Sequence, residues 1–228
     1  MPLYFNATHL PQATFEYVVW VDIMGTQSAM SRSLRATANF IFKLHTAAIE
    51  APPGTLSLYP VMDGLYAASP SQQNMLQFLR AVFQSVAEEF NNTADPIHRF
   101  IIRAGLAFGP AIHGRNVQNQ ASNTLADHAA YRDSILLGLP MVQAHLSEQS
   151  APPFGVFVHE SARSFAPTGH EPLHQAWWRW ANINQPTWAA LSEKLPEHLD
   201  WCAKRAIPLG YASDRISAHR EMVRQYFA

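Results

Sequence analysis

Residues 17–27 read YVVWVDIMGTQ: an apolar run climbs to Asp22 and gives way at once to Ile-Met-Gly and small polar residues. Val18, Val19, Trp20 and Val21 are residues that fill a pleated surface, so this stretch predicts a buried strand that ends on a carboxylate. An unpartnered buried carboxylate is costly, so Asp22 calls for a partner. The pattern recurs at residues 58–69, LYPVMDGLYAAS, where two apolar half-strands meet at Asp63-Gly64. Asp-Gly between alternating apolar residues is a hairpin signal, and a turn aspartate alone is most often structural.

Working outward, the chain predicts strands at 15–23, 56–61, 65–68 and 99–109. A helix is expected over 28–49, ended by the Ala51–Gly54 stretch, and another after Ser69-Pro70-Ser71 with Met75, Leu79, Val82, Phe83, Val86 and Phe90 inward. A Gly/Asn/Gln-rich loop at 110–123, a polar helical stretch, a helix opening near Pro140 and a strand in FGVFVHESA follow. The order β-α-β-β-α-β, then α-β, is the split βαβ, ferredoxin-like α+β arrangement, with helices on one face of the sheet. Residues 1–165 are expected to form this domain. Residues 166–228, holding five of the six tryptophans and an amphipathic C-terminal helix, are expected to be a mainly helical extension packed on the same domain or on a partner.

A net charge of −1 gives no bulk electrostatic pull toward nucleic acid or an anionic membrane. Charged residues are only 14% beside 13 Phe, 7 Tyr and 6 Trp, so part of the surface is expected to be covered by another subunit. The single cysteine, Cys202, excludes an internal disulfide and a cysteine-based zinc site. The N-terminal residues lack a basic region followed by an apolar run, and no window reaches the length of a membrane span, so a cytoplasmic protein is expected. The histidines show no metal spacing, and Arg103, central in an apolar strand, is expected to bond backbone carbonyls.

Asp22 and Asp63 lie 41 positions apart (63 − 22), yet both fall at the ends of neighbouring strands. Converging carboxylates without His or Cys suit hard cations, Mg²⁺ or Mn²⁺, which usually arrive with phosphate. The N–H groups of Ile23-Met24-Gly25-Thr26, before a helix start, are placed to receive a polyphosphate.

These residues resemble the class III nucleotidyl cyclases. VVWVDIMGTQ is similar to that family's first metal strand and YPVMDGLYA to its second metal hairpin. IIRAGLAFGPAIHG, with Arg103, Gly105, Gly109 and Gly114, resembles the strand and loop that follow, and LLGLPMVQAHLSE the helix that closes the pocket. The four matches come in the family's order over residues 15–160. The resemblance implies a homodimer whose composite sites take metal ligands from one chain and base and transition-state groups from the other. It implies two Mn²⁺ or Mg²⁺ ions on Asp22 and Asp63, with the Ile23 carbonyl as a third ligand and the Met24–Thr26 backbone on the triphosphate. The departures matter. The family's purine-reading positions hold Tyr59 and, near the helix-opening glycine, Ile135; its transition-state Asn and Arg fall at Gln143 and Ser147. Serine cannot carry arginine's charge, which leaves Arg115 and Arg132 as candidates beside Gln143. The bulk and hydroxyl of Tyr59 point to a pyrimidine, uracil first. That pattern resembles the pyrimidine cyclases of bacterial Pycsar anti-phage systems, which convert UTP to cyclic UMP and act through a separate cyclic-nucleotide-responsive effector. A cytidylate or purine cyclase, and a catalytically silent nucleotide-binding module, are the alternatives.

Overall fold

The structure, a computed structural model, describes residues 5–51, 54, 56–164, 168–170, 173–209 and 211–228. Pro52 and Pro53, expected to help end the first helix, lie outside the described residues.

Strand β1 (Thr14–Ile23) is the middle of the sheet, and residues 16–21 are all buried. A strand covered on both faces needs apolar residues at consecutive positions, which is why its sequence does not alternate. Helices α1 (Thr26–Arg32) and α2 (Leu34–Glu50) follow. The expected single helix is broken at Ser33, whose backbone is extended and whose hydroxyl accepts from Ala36 N–H, the local bond that lets serine start a new helix. Strands β2 (Ser57–Val61) and β3 (Gly64–Ser69) form a hairpin, and α3 (Gln72–Asn92) starts at Ser71, whose hydroxyl caps Asn74 N–H. The turn is Met62-Asp63 rather than Asp63-Gly64, because Gly64 already pairs with Val61 and Asp22. Glycine is required there for closeness: a Cβ would sit 2.5 Å from the Val21 carbonyl oxygen and 2.6 Å from the Trp20 ring.

Strand β4 (Ile102–His113) starts later and runs further than expected, turning Pro110–His113 of the anticipated loop into strand. Its far end is held by β5 (Leu136–Gly138), after the short helices α4 (Asn123–Asp127) and α5 (Ala129–Asp133). Helix α6 (Leu139–Glu148), β6 (Val156–Val158) and α7 (Glu160–Ser164) complete the first part. In the C-terminal part β7 (Trp177–Trp178) pairs with β6, and α8 (Pro186–Ala203), α9 (Ala206–Leu209) and α10 (Ser213–Tyr226) follow.

The sheet order β2-β3-β1-β4 is the ferredoxin-like one: β3 inserts antiparallel between β1 and β2. Strand β6 extends it in parallel with β4. Tyr17, Val19, Val21 and Ile23 point into the main core under α2 and α3. Val18 and Trp20 point the other way, into smaller clusters that include Ala144 and Met141 of α6. Helix α6 therefore covers part of the face expected to be bare. The sheet admits it through glycine: a Cβ on Gly105 would lie 2.0 Å from the Ala144 carbonyl oxygen. Trp180 and Trp188 belong to the same core as Phe83 and Val19, and the Trp180 indole N–H donates to the Phe154 carbonyl at 2.9 Å.

Candidate active site

Two chemically distinct groups of side chains stand at opposite ends of the sheet. At the first, register places Asp22 of β1 between Gly64 of β3 and Arg103 of β4. Asp63, in the turn before Gly64, thereby comes beside Asp22. Burial, then the carboxylates of Glu148 and Asp63, push the Asp22 carboxyl up to about 7; Arg103 and a hydrogen bond from the Ile23 N–H act in the opposite direction. Glu148, at the end of α6 and 4% exposed, is also pushed up by burial, a rise reduced by its ion pair with the Arg103 guanidinium. Arg103 also donates to the Gln149 carbonyl at 3.3 Å, so the carbonyl role expected of it is joined by a second role as counter-ion.

The turn is held from two sides. The Thr26 hydroxyl, buried at the start of α1, donates to Asp63. His45 of α2 hydrogen-bonds the Met62 backbone, and burial lowers its pKa. Met62 itself takes a left-handed backbone, φ 50°, which L-residues adopt at a cost. Gly25, at φ 79°, is the residue from which α1 begins. The Met24 N–H is already bonded to the Ile101 carbonyl at 2.9 Å, so it is not free for phosphate and that part of the expected cradle is corrected. The Ile23 group seen in the cluster is its N–H, bonded to Asp22; the expectation concerned its carbonyl.

The donor set at this end is all oxygen, and the burial and carboxylate repulsion that together raise Asp22 are what a cation would offset. Glu148 is committed to Arg103. Among the described residues no group of three or more His, Cys, Asp or Glu side chains is placed to hold a metal. Asp22 and Asp63 thus fit a hard divalent ion that completes its shell with water and ligand oxygens.

The second group lies six residues up β1, at Glu16, roughly 20 Å from Asp22 at the rise of an extended strand. Tyr59, 3% exposed, gives its hydroxyl to a hydrogen bond with His113 Nδ1, and His113 Nε2 meets Glu16 at 2.8 Å. The expectation that the Tyr59 hydroxyl reads a base is therefore corrected: strand β5 and Leu136 cover the ring, and its oxygen is engaged inside the protein. Exposed Arg115, just past β4, donates to Ser57 Oγ at 2.6 Å. Arg132 pairs with Asp133 at 2.9 Å, and its carbonyl lies close against Gly114. Gln143 lines a largely apolar cleft of about 470 Å³ with Phe15, Phe108, Gly109 and Pro140. Ser147 is buried. Asp22 and Asp63 meet; Arg115 and Arg132 lie past the far end of β4, and Gln143 stands apart from them, on α6 in the cleft beside Phe15 and Phe108. The sequence pointed to neither the Glu148–Arg103 pair nor the hydroxyl of Thr26, although Glu148 stands in the motif helix and Thr26 in the motif turn.

No protein-family profile matches the chain, and no curated protein sequence matches it. Solved structures that resemble it are cyclase domains. The guanylyl cyclase domain of the RhoGC fusion protein of the aquatic fungus Blastocladiella emersonii is 15% identical, with a TM-score of 0.49 over 66% of this chain and 84% of that one. An adenylate/guanylate cyclase/hydrolase of Silicibacter pomeroyi is 16% identical, TM-score 0.46, over 65% and 76%. A bacterial light-regulated adenylyl cyclase is 13% identical, TM-score 0.48, over 61% and 71%.

Proposed function

We propose that the protein is a metal-dependent nucleotidyl cyclase, acting as a homodimer on a nucleoside triphosphate. The observation that carries this reading is the meeting of Asp22 and Asp63 across β1 and β3, with the Asp22 carboxyl pushed up to about 7 by burial and then by the neighbouring carboxylates. Asp22 and Asp63 would hold the Mg²⁺ or Mn²⁺ ions, one or two per site; bound there, a divalent ion acidifies a substrate hydroxyl and shields the departing phosphates. The chain's own residues hold this arrangement. Thr26 and His45 pin the Asp63 turn, Arg103–Glu148 keeps compensating charge beneath Asp22, and the N–H groups of Gly25 and Thr26 face the triphosphate. The ribose 3′-hydroxyl attacks the α-phosphorus, the α–β bridging bond breaks, and pyrophosphate departs with that electron pair.

Separation of the two groups supports the dimer. Arg115 and Arg132 lie past the His113 end of β4, whereas Asp22 pairs with Arg103 near the start of that strand, a separation that favours supply of the two sets by different chains. A second copy, related by a two-fold axis, brings its Arg115 end to the first copy's Asp22 end. Arg115 is the stronger candidate for the developing negative charge, since Arg132 is already paired with Asp133. We infer a pyrimidine substrate, UTP giving cyclic UMP, from bulk rather than from reading: Tyr59 and Ile135 fill positions where purine readers would stand. In this reading the product is a signal to a separate anti-phage effector. Burial of an uncharged Ser147 in the family's arginine position favours a second reading, a silent nucleotide-binding module. Incubating the protein with Mn²⁺ and each of the four NTPs, with products resolved by mass, decides between them. Cyclic UMP supports the first reading; a purine product removes the base assignment; binding without pyrophosphate release supports the second.

A further inference from the structure

The polar side chains at the Glu16 end form one contiguous network. Arg115 Nη2 donates to Ser57 Oγ at 2.6 Å, and both the Arg115 guanidinium and the Ser57 hydroxyl stand beside the Tyr59 phenol, whose pKa burial raises and they lower. Tyr59 bonds His113 Nδ1, and His113 Nε2 lies 2.8 Å from Glu16 Oε1. The Thr14 hydroxyl donates to the same oxygen at 2.5 Å. Ser57, Tyr59, His113 and Glu16 are buried, whereas Arg115 at the end is exposed.

The two ends are fixed. A guanidinium only donates and a carboxylate only accepts. Two arrangements satisfy the links between them: an imidazolium that donates from both nitrogens while Tyr59 gives its proton to Ser57, or a neutral ring that accepts from Tyr59. The relay is the second. Arg115 gives to Ser57, Ser57 to the Tyr59 oxygen, Tyr59 to Nδ1 of a neutral His113, and His113 gives its Nε2 proton to Glu16. This assigns the imidazole tautomer from its partners. Around the chain stand Val18, Ala68, Ala111 and Leu136, which ask for no polar group. Burying four polar side chains among them costs stability unless each is satisfied, and a satisfied network fixes a single geometry.

We infer that Glu16, His113, Tyr59 and Ser57 are positioning residues that hold the Arg115 guanidinium in one orientation at the end of β4. The catalytic consequence of that orientation rests on the reading of Arg115 above; the orientation itself does not. Tyr59 is thereby reassigned, from contact with a base to alignment of a cation.

Two measurements test this on the full chain. In ¹⁵N-labelled protein, His113 should report a neutral ring protonated at Nε2 with Nδ1 accepting, and Tyr59→Phe should shift and broaden the Arg115 Nε–H resonance. An unchanged Arg115 resonance, or the opposite tautomer, overturns the relay, whatever the protein catalyses. In turnover assays Tyr59→Phe should lower kcat about tenfold, the loss expected when one charge-assisted contact is misaimed, with KM for the Mn²⁺-nucleotide within about twofold. In an Arg115→Ala background the same substitution should add no further loss, because the two act as one unit. An equal loss in both backgrounds would mean that Tyr59 acts by packing alone and would reject the positioning role. If the wild type turns over no nucleotide, the proposed function fails while the resonance experiment still decides the relay. Should Tyr59→Phe not fold, Ser57→Ala cuts the chain one link nearer Arg115 with little loss of volume, and Ser57→Thr should restore what it removes.

Discussion

The two ends of the sheet solve opposite electrostatic problems. At the Glu16 end each buried polar group has found a partner, and a lone carboxylate is balanced through neutral links by a guanidinium at the surface. At the Asp22 end the groups are in conflict: three carboxylates share one arginine, and Asp22 holds its proton to about 7. A satisfied network rigidifies; an unsatisfied one is a place where a ligand has something to relieve. The difference teaches where binding is expected and where alignment is expected, and neither could be read from residue type alone, since both ends contain acid and arginine.

The sharpest way to break this comparison is at the conflicted end. Asp63→Ala should reduce turnover by at least about 10³-fold, the several kcal/mol that a metal's charge stabilisation supplies, with circular dichroism unchanged. Full activity in that variant would sink the metal assignment. Because the two ends are predicted to meet only across a dimer, mixing equal amounts of Asp63→Ala and Arg115→Ala protein should restore about a quarter of wild-type turnover. Half the dimers are then mixed, and each mixed dimer has one intact site of two. No recovery after subunit exchange has been verified would place both groups in the same chain's site.

Next in size is the ion pair beneath Asp22. Glu148→Ala leaves the Arg103 guanidinium without its counter-charge and should cost about 3–5 kcal/mol in denaturant unfolding. A loss under 1 kcal/mol would show that Arg103 turns to Asp22 instead. A smaller, pH-dependent effect tests the conflict itself. The folded-state pKa of Asp22 is raised, so the folded chain keeps a proton that the unfolded chain loses near pH 4, and the metal-free protein loses stability as pH rises to about 7. Asp22→Asn, which cannot ionise, should therefore raise the melting temperature in EDTA at pH 8 and leave it nearly unchanged below about pH 4. Equal shifts at both values would contradict the raised pKa. The smallest effect belongs to the turn: Met62→Gly should stabilise by up to about 1 kcal/mol by removing the left-handed penalty, offset in part by the greater freedom of the unfolded chain.

Much of the architecture was legible. The unbroken apolar run of β1 marked a central strand, and the spacing of Met75 to Phe90 marked α3, because burial imposes periods that survive in one dimension. The break at Ser33 was not legible, since helix-forming residues flank it and a single serine hydroxyl decides the matter. The extension of β4 to His113 and the existence of β5 depend on pairing with each other, and nothing local in Leu136–Gly138 announces a strand. At the site, Asp22 and Asp63 were found from strand-end position. Glu148 and Arg103 lie 45 residues apart (148 − 103), and only the seating of α6 on Gly105 makes them neighbours.

The amino-acid sequence by itself determined which residues could carry charge, where the chain turns, and that two carboxylates close adjacent strands; these follow from local composition and from the two-residue period of a sheet. What each side chain touches was decided only by the fold. Tyr59 read alone is a phenol free to meet a base. In the folded protein its hydroxyl is spent on His113, because the pairing of β4 with β1 and β5 brings a residue 54 positions away within hydrogen-bonding reach, and no local preference records so distant a contact.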